Sequence, residues 1–195
     1  EDASGVVQPF TYHGGKIVDW SIEVEAGAIA KLNLNTVFKE EVTNTSLAVA
    51  SYPTGIRPYC YVAGTVTVGG SSYGINKATF TGTNALTTSR PQLGSSATRE
   101  PLESGGQREY AGEVTAEFDG LALYNLFKTD ATAVVELILA ASGSNRRIKL
   151  TSTARFNGST PNVGGRDLIE QSLAFMGVGT LGDADAAMTA ELVDS

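Results

Sequence analysis

The segment Lys16–Glu25 alternates, strictly so from Val18 onward. Val18, Trp20, Ile22 and Val24 fall on one side, and Asp19, Ser21, Glu23 and Glu25 on the other. A period of two is the mark of a half-buried strand. Ala26-Gly27 then supplies a turn. The chain returns through 28–38, where Ala30, Leu32, Leu34 and Thr36 oppose Lys31, Asn33 and Asn35. The two runs predict a long hairpin with one apolar and one strongly polar face. Its register is well specified, because a slip of one residue would bury the carboxylates. Lys31 is the basic exception on the polar face, placed to pair with Glu23 or Glu25 across the hairpin.

The same reading continues along the chain. A short strand over 10–13 precedes the Gly14-Gly15 turn, and residues 1–9 read as an extended arm. Residues 39–57 break the alternation and hold Pro53 and Gly55. A loop that long inside a domain is usually functional or mobile. Tyr59–Val68 and 72–83 form a second hairpin around Gly69-Gly70. Residues 86–108, rich in Ser, Thr, Gly and Pro, form a second irregular stretch, and 109–118 is a strand. The segment 119–128 is the best helix candidate: Asp119 is placed to cap it, and Leu123, Leu126 and Phe127 have helical spacing. Strands over 133–141 and 146–156 flank a turn at 142–145. Strands over 168–176 and 187–193 close the chain. The expectation is one domain over 1–195, with no linker and no repeat.

Composition supports many strands and tight turns. There are 22 glycines among 195 residues, and Thr, Val and Ala are common. Charged residues make up 18%, below the roughly 25% usual for soluble domains, which suits a surface largely covered by neighbours. The net charge of −7 makes the chain a poor nucleic-acid binder, since phosphate binding needs clustered Lys and Arg. It also makes a surface that nucleic acid can pass without sticking. No apolar run reaches the roughly 18 residues of a membrane-spanning helix, and no secretion signal is visible.

The search for reactive chemistry yields no constellation. The single histidine, His13, sits in a turn signal, and the single cysteine, Cys60, has apolar flanks and no disulfide partner. Neither a Ser-His-Asp set nor a zinc site follows from these. Asp183 and Asp185 resemble the start of a calcium loop, but Ala187 and Met188 occupy the fifth and sixth positions. Gly158 to Arg166 has the wrong spacing and lacks the Lys-Ser/Thr pair of a phosphate loop. Asn44-Thr45-Ser46 and Asn157-Gly158-Ser159 match the glycosylation pattern, which is common by chance. Glu23 and Glu25 lack the aromatic platform of a sugar-cleaving cleft. No cofactor is expected.

Several parts, in order, carry a resemblance. They are Tyr12-His13-Gly14-Gly15-Lys16 leading into the Trp20 strand, the Ala26-Gly27 hairpin, and 61–70 with its Gly-Gly turn. Further on come the strand-then-helix segment ending in Leu123-Tyr124-Asn125-Leu126-Phe127, and Thr160-Pro161-Asn162-Val163-Gly164-Gly165 before the last long strand. Over about 10–176 this layout resembles the tail tube (major tail) proteins of long-tailed bacteriophages. The resemblance implies a mainly β fold, a β-sandwich or partial barrel with one flanking helix. It implies a structural, non-enzymatic subunit that forms hexameric rings stacked into a hollow tube, through which DNA passes without specific binding. Tape-measure and tail-terminator or tip proteins are the implied partners. The implied location is the virion tail, after synthesis in the host bacterial cytoplasm, with no membrane insertion of this chain.

Within that reading the polar hairpin face lines a channel: Asp19, Ser21, Glu23, Glu25, Lys31, Asn33 and Asn35, joined by Glu170 and Ser172 on the last long strand. The segments 1–9, 39–57 and 86–108 carry contacts between subunits, with Val42, Leu47, Val49 and Tyr52 as apolar anchors. A β-sandwich binding module, carbohydrate-binding or adhesin-like, is the alternative. It would present a shallow site with exposed aromatics on a monomer. A hydrolase with an unrecognised site is a third reading, disfavoured by the single histidine.

Overall fold

The computed structural model describes residues 5, 7–43, 46–52, 54–55, 57–87, 105–141, 146–158, 169–179 and 187–193. Most of the arm, the middle of 86–108, the 142–145 turn, the 159–168 glycine-rich stretch and Asp183 and Asp185 lie outside them. The described residues form twelve strands and one helix, the expected mainly β composition. Contacts divide the chain into two units: Glu1–Trp20, Leu34–Ile56 and Thr83–Arg108 form the smaller, and Ser21–Asn33, Arg57–Gly82 and Glu109–Ser195 the larger.

The larger unit is built on one antiparallel sheet. Its strands are β2 (Lys16–Glu25), β3 (Lys31–Val37), β5 (Tyr59–Val68), β6 (Ser71–Ser72), β7 (Ile75–Thr83), β8 (Glu109–Glu117), β9 (Thr132–Ala141), β10 (Arg147–Gly158), β11 (Glu170–Gly177) and β12 (Met188–Val193). They lie in the order β3-β2-β7-β8-β11-β10-β9-β5-β6, with β12 also on β10. β2 and β3 belong to this unit by their halves next to the Ala26-Gly27 turn. Among the described residues β3 ends the order, so one of its edges is unpaired.

Alternation sorts the side chains of this sheet. Across β8 and β11, Val114 opposes Leu173 and Ala116 opposes Gln171, all buried. The intervening positions carry Glu113, Thr115, Glu117, Glu170 and Ser172 on the other face. The buried face gathers Phe80, Phe175 and Phe156, with Phe80 edge-on to Phe175 at 5.4 Å between ring centres, and Phe156 6.2 Å from Phe175. Leu137, Val135 and Leu150 complete this core. Gly112 sits against it: a Cβ there would stand 2.3 Å from Phe175 Cζ and 2.4 Å from the Thr79 carbonyl, so only glycine admits the ring.

The sheet bends back toward its own start. The Ala30 amide donates to the Tyr59 carbonyl (2.9 Å) and the Tyr61 amide to the Ala28 carbonyl (3.3 Å), bracketing a bridge between Ile29 and Cys60. A cleft behind this seam is lined from β2, β5, β7 and β9 by Val24, Tyr61, Val66, Ile75 and Leu137. Strands far apart in the order thus meet, which is the partial-barrel form. Helix α1 (Ala122–Lys128) packs on β10 and buries Leu123.

The helix corrects one expectation. Its N-cap residue is Leu121, not Asp119, and no side chain caps it. The Phe118 amide still bonds the Ile169 carbonyl, so the chain is held extended through Phe118. Asp119 and Gly120 are then used in turning away from the sheet before the first helical bond, Asn125 to Leu121.

In the smaller unit, β1 (Thr11–His13) pairs with β4 (Glu40–Val42), placing Tyr12 opposite Glu41 and Thr11 opposite Val42. Tyr12 packs against Phe38 with the rings tilted by 42° and their centres 5.2 Å apart. Gly14 adopts φ +66°, a left-handed turn position that favours glycine. The Asn84 side chain donates to the Ile17 carbonyl, and the Gly105 amide donates to the Ala85 carbonyl. The loop expected over 39–57 therefore begins with a strand, because Glu40–Val42 satisfies its backbone on β1.

Candidate functional site

The polar face of the first hairpin is assembled by its register. Asn35 Nδ2 donates to Asp19 Oδ2 at 2.9 Å, and Asn33 Nδ2 to Ser21 Oγ at 3.1 Å. Two cross-strand pairs two residues apart set the pairing, and the same step places Lys31 across from Glu23. No ion pair joins Lys31 to Glu23 or Glu25 among the described residues. The Ala26 amide bonds the Asn76 carbonyl. That pairing puts Val24 beside Ala78, both buried, and Glu25 across from Lys77. Glu23 and Glu25 therefore face away from the core.

Glu170 and Ser172 face away from the core too. Glu170 Oε1 accepts from Asn76 Nδ2, and Ser172 donates to Glu113. They do not abut the hairpin, however. β7 and β8 stand between β2 and β11, a separation of about 14 Å at the usual strand spacing. Glu113 and Glu117, not singled out from the sequence, belong to this face. Glu117 stands directly opposite Glu170. The alternation of β8 was the signal that could have found them.

The apolar face of the hairpin departs from expectation. Val24 is buried, but Leu32 is 60% and Leu34 50% exposed. Among the described residues β3 is the terminal strand, and none of them covers these two side chains. Its seven residues, Lys31 to Val37, hold one charge, no proline and no glycine.

The four apolar anchors divide. Leu47, Val49 (93% exposed) and Tyr52 (81% exposed) stand out from the surface of the smaller unit. Val42 is half-buried in β4. Tyr12 and Phe38, both exposed, were not anticipated as a surface feature. The Tyr12 hydroxyl is held above its ordinary pKa by its hydrogen bond to Glu41 and by that carboxylate's charge.

The isolated reactive groups stay isolated. His13 of β1 lies opposite Glu40 of β4, and Cys60 Sγ lies 3.7 Å from the Pro58 carbonyl. Among the described residues no three His, Cys, Asp or Glu side chains gather as metal ligands, and no helix is long and apolar enough to cross a membrane.

Two comparisons with known proteins bear on these surfaces. The family model described as phage tail tube protein matches residues 1–177. No curated protein matches the chain.

Proposed function

Since the chain belongs to the phage tail tube protein family, we propose that it assembles, as one tail-tube domain over 1–195, into hexameric rings that stack into a hollow conduit for DNA. The family is structural, and the chain is a subunit of the virion tail. The observation that carries the ring proposal is the bare edge of β3. Natural sheets protect edge strands with charges, proline, bulges or a covering element. β3 has one charge and leaves Leu32 and Leu34 exposed. Such an edge is suited to pairing with the next copy, head to tail, until the ring closes.

In this reading Asp19, Ser21, Glu23, Glu25, Lys31, Asn33 and Asn35 line the channel, and Glu170 and Ser172 extend its wall. A like-charge contact with phosphate costs only about 1 kcal/mol in high dielectric, and salt screens it beyond about 8–10 Å. The wall therefore repels adhesion without blocking passage, whereas lysines would bind phosphate by releasing counterions. Leu47, Val49 and Tyr52 reach neighbouring rings, with Val42 anchoring the base of their loop. Tape-measure and terminator or tip proteins contact the tube ends. The assembled tube needs no cofactor and no turnover, and the chain is made in the host bacterial cytoplasm.

Thiol labelling tests the channel assignment. In a Cys60→Ser background, cysteines replacing Ser21 or Asn33 react with small and bulky maleimides alike in monomers. In tubes they resist the bulky reagent. Equal labelling of intact tubes by both reagents would place this face outside the channel.

A further inference from the structure

We infer that the seam joining 28–30 to 59–61 is a latch, closed in the free subunit and opened when a second copy pairs with the sheet. This inference rests on the assembly reading above. The seam is thin. It comprises the Ile29–Cys60 bridge and two backbone hydrogen bonds, one of them 3.3 Å long. It is also built in part from residues without a register partner on β9. β5 pairs with β9 at Tyr59–Ala141 and again from Gly64–Leu139, with a register shift between. Residues 60–63 are thereby released from β9, and the chain kinks as bulges do. These released residues hold the turn of the first hairpin.

What lies around the seam is suited to a partner. Among the described residues β3 leaves it with an unpaired edge. Ile29, Leu32, Tyr61 and Val62 all expose apolar surface, Val62 to 79%. The occupant is a second copy of this chain. The patch has no carboxylate, and a copy can supply both a strand edge that carries a single charge, Lys31, and matching leucines. In the free subunit the seam occupies the backbone groups of 28–30 and 59–61, guarding part of the edge against premature pairing. Its two bonds are few against the row of ladder bonds that a seven-residue strand can offer, so exchange favours the assembled state.

The bridge geometry provides the test. Ala30 to Tyr59 and Tyr61 to Ala28 are the bonds that flank a non-hydrogen-bonded pair, where Cα atoms lie about 4.5 Å apart, within disulfide range. Ile29→Cys places a thiol opposite the native Cys60. A diazene oxidant such as diamide takes two electrons and two protons from the thiols and locks the seam as a disulfide; a dithiol reductant reopens it. The expected result is tube formation by the reduced protein and its loss in the oxidised protein, restored on reduction. Oxidised protein that forms tubes as readily as reduced protein would overturn the latch.

Ala30→Pro, which removes one seam donor, is an independent arm. It shortens the lag before assembly, and a folded variant with an unchanged lag counts against the proposal. Amide exchange in the monomer gives a readout without tubes. The Ala30 and Tyr61 amides exchange far faster than those of Leu137 and Leu150, as expected for local opening. Protection equal to the core overturns the latch, whereas wild-type protein that never assembles counts against the tube reading alone.

Discussion

Changing Leu32 and Leu34 together to threonine isolates the edge of β3 from the rest of the molecule. The two side chains keep 60% and 50% of their surface exposed, so between them they present about one whole leucine to a partner. Burying one leucine side chain is worth about 1.5–3 kcal/mol. Threonine gives up most of that and keeps the branched shape that strands favour. In the isolated subunit the same change removes little, since exposed positions away from special features shift stability by under about 0.5 kcal/mol. At about 1.4 kcal/mol per factor of ten, the critical concentration for tube formation rises about 10- to 100-fold. Sedimentation of tubes across a concentration series reads this directly, with thermal unfolding of the subunit as the control. An unchanged critical concentration with an unchanged melting temperature would mean that the edge stays exposed in the assembly, and the argument from the bare strand would fail.

Three further outcomes follow from other surfaces. Glu23→Lys with Glu25→Lys leaves tubes intact but makes them retain DNA at low salt, with a steep salt dependence; tubes that still pass DNA freely in filter binding would remove the electrostatic role of this face. Deleting 46–52 spares β4, so the subunit folds with an unchanged circular dichroism spectrum but does not stack; normal tubes from the deletion would free Leu47, Val49 and Tyr52 of an assembly role. The raised Tyr12 pKa means that its hydrogen bond to Glu41 contributes fully below the unfolded value of about 10 and is lost as pH climbs through the folded value. Tyr12→Phe therefore lowers the melting temperature at neutral pH and flattens its alkaline decline, whereas parallel curves for both proteins would show the bond to be without effect.

The strands were legible where a local period carried them. The alternation from Lys16 to Glu25 and the run from Tyr59 to Val68 give β2 and β5 with their observed ends, and the polar pairs Asp19–Asn35 and Ser21–Asn33 follow from that alternation. Features set by long-range pairing were not legible. β4 exists because β1 lies beside it. Leu32 and Leu34 alternate like core residues, and only the position of β3 at the end of the sheet leaves them uncovered. The helix starts late because Ile169, about fifty residues on in sequence, holds Phe118. Gln171 is polar yet buried beside Ala116, since the period of β11, with Glu170 and Ser172 outward, turns it inward. Gly112 looks like any strand glycine until Phe175 is packed against it.

The proposed role of this chain is to close rings and build a tube. Cryo-electron microscopy of the purified protein over a concentration series tests it most directly. The expected result is rings with sixfold symmetry that stack into hollow tubes as concentration rises, with Glu23 and Asn33 facing the lumen. A population of single subunits at every concentration, or filaments with no central channel, would contradict it.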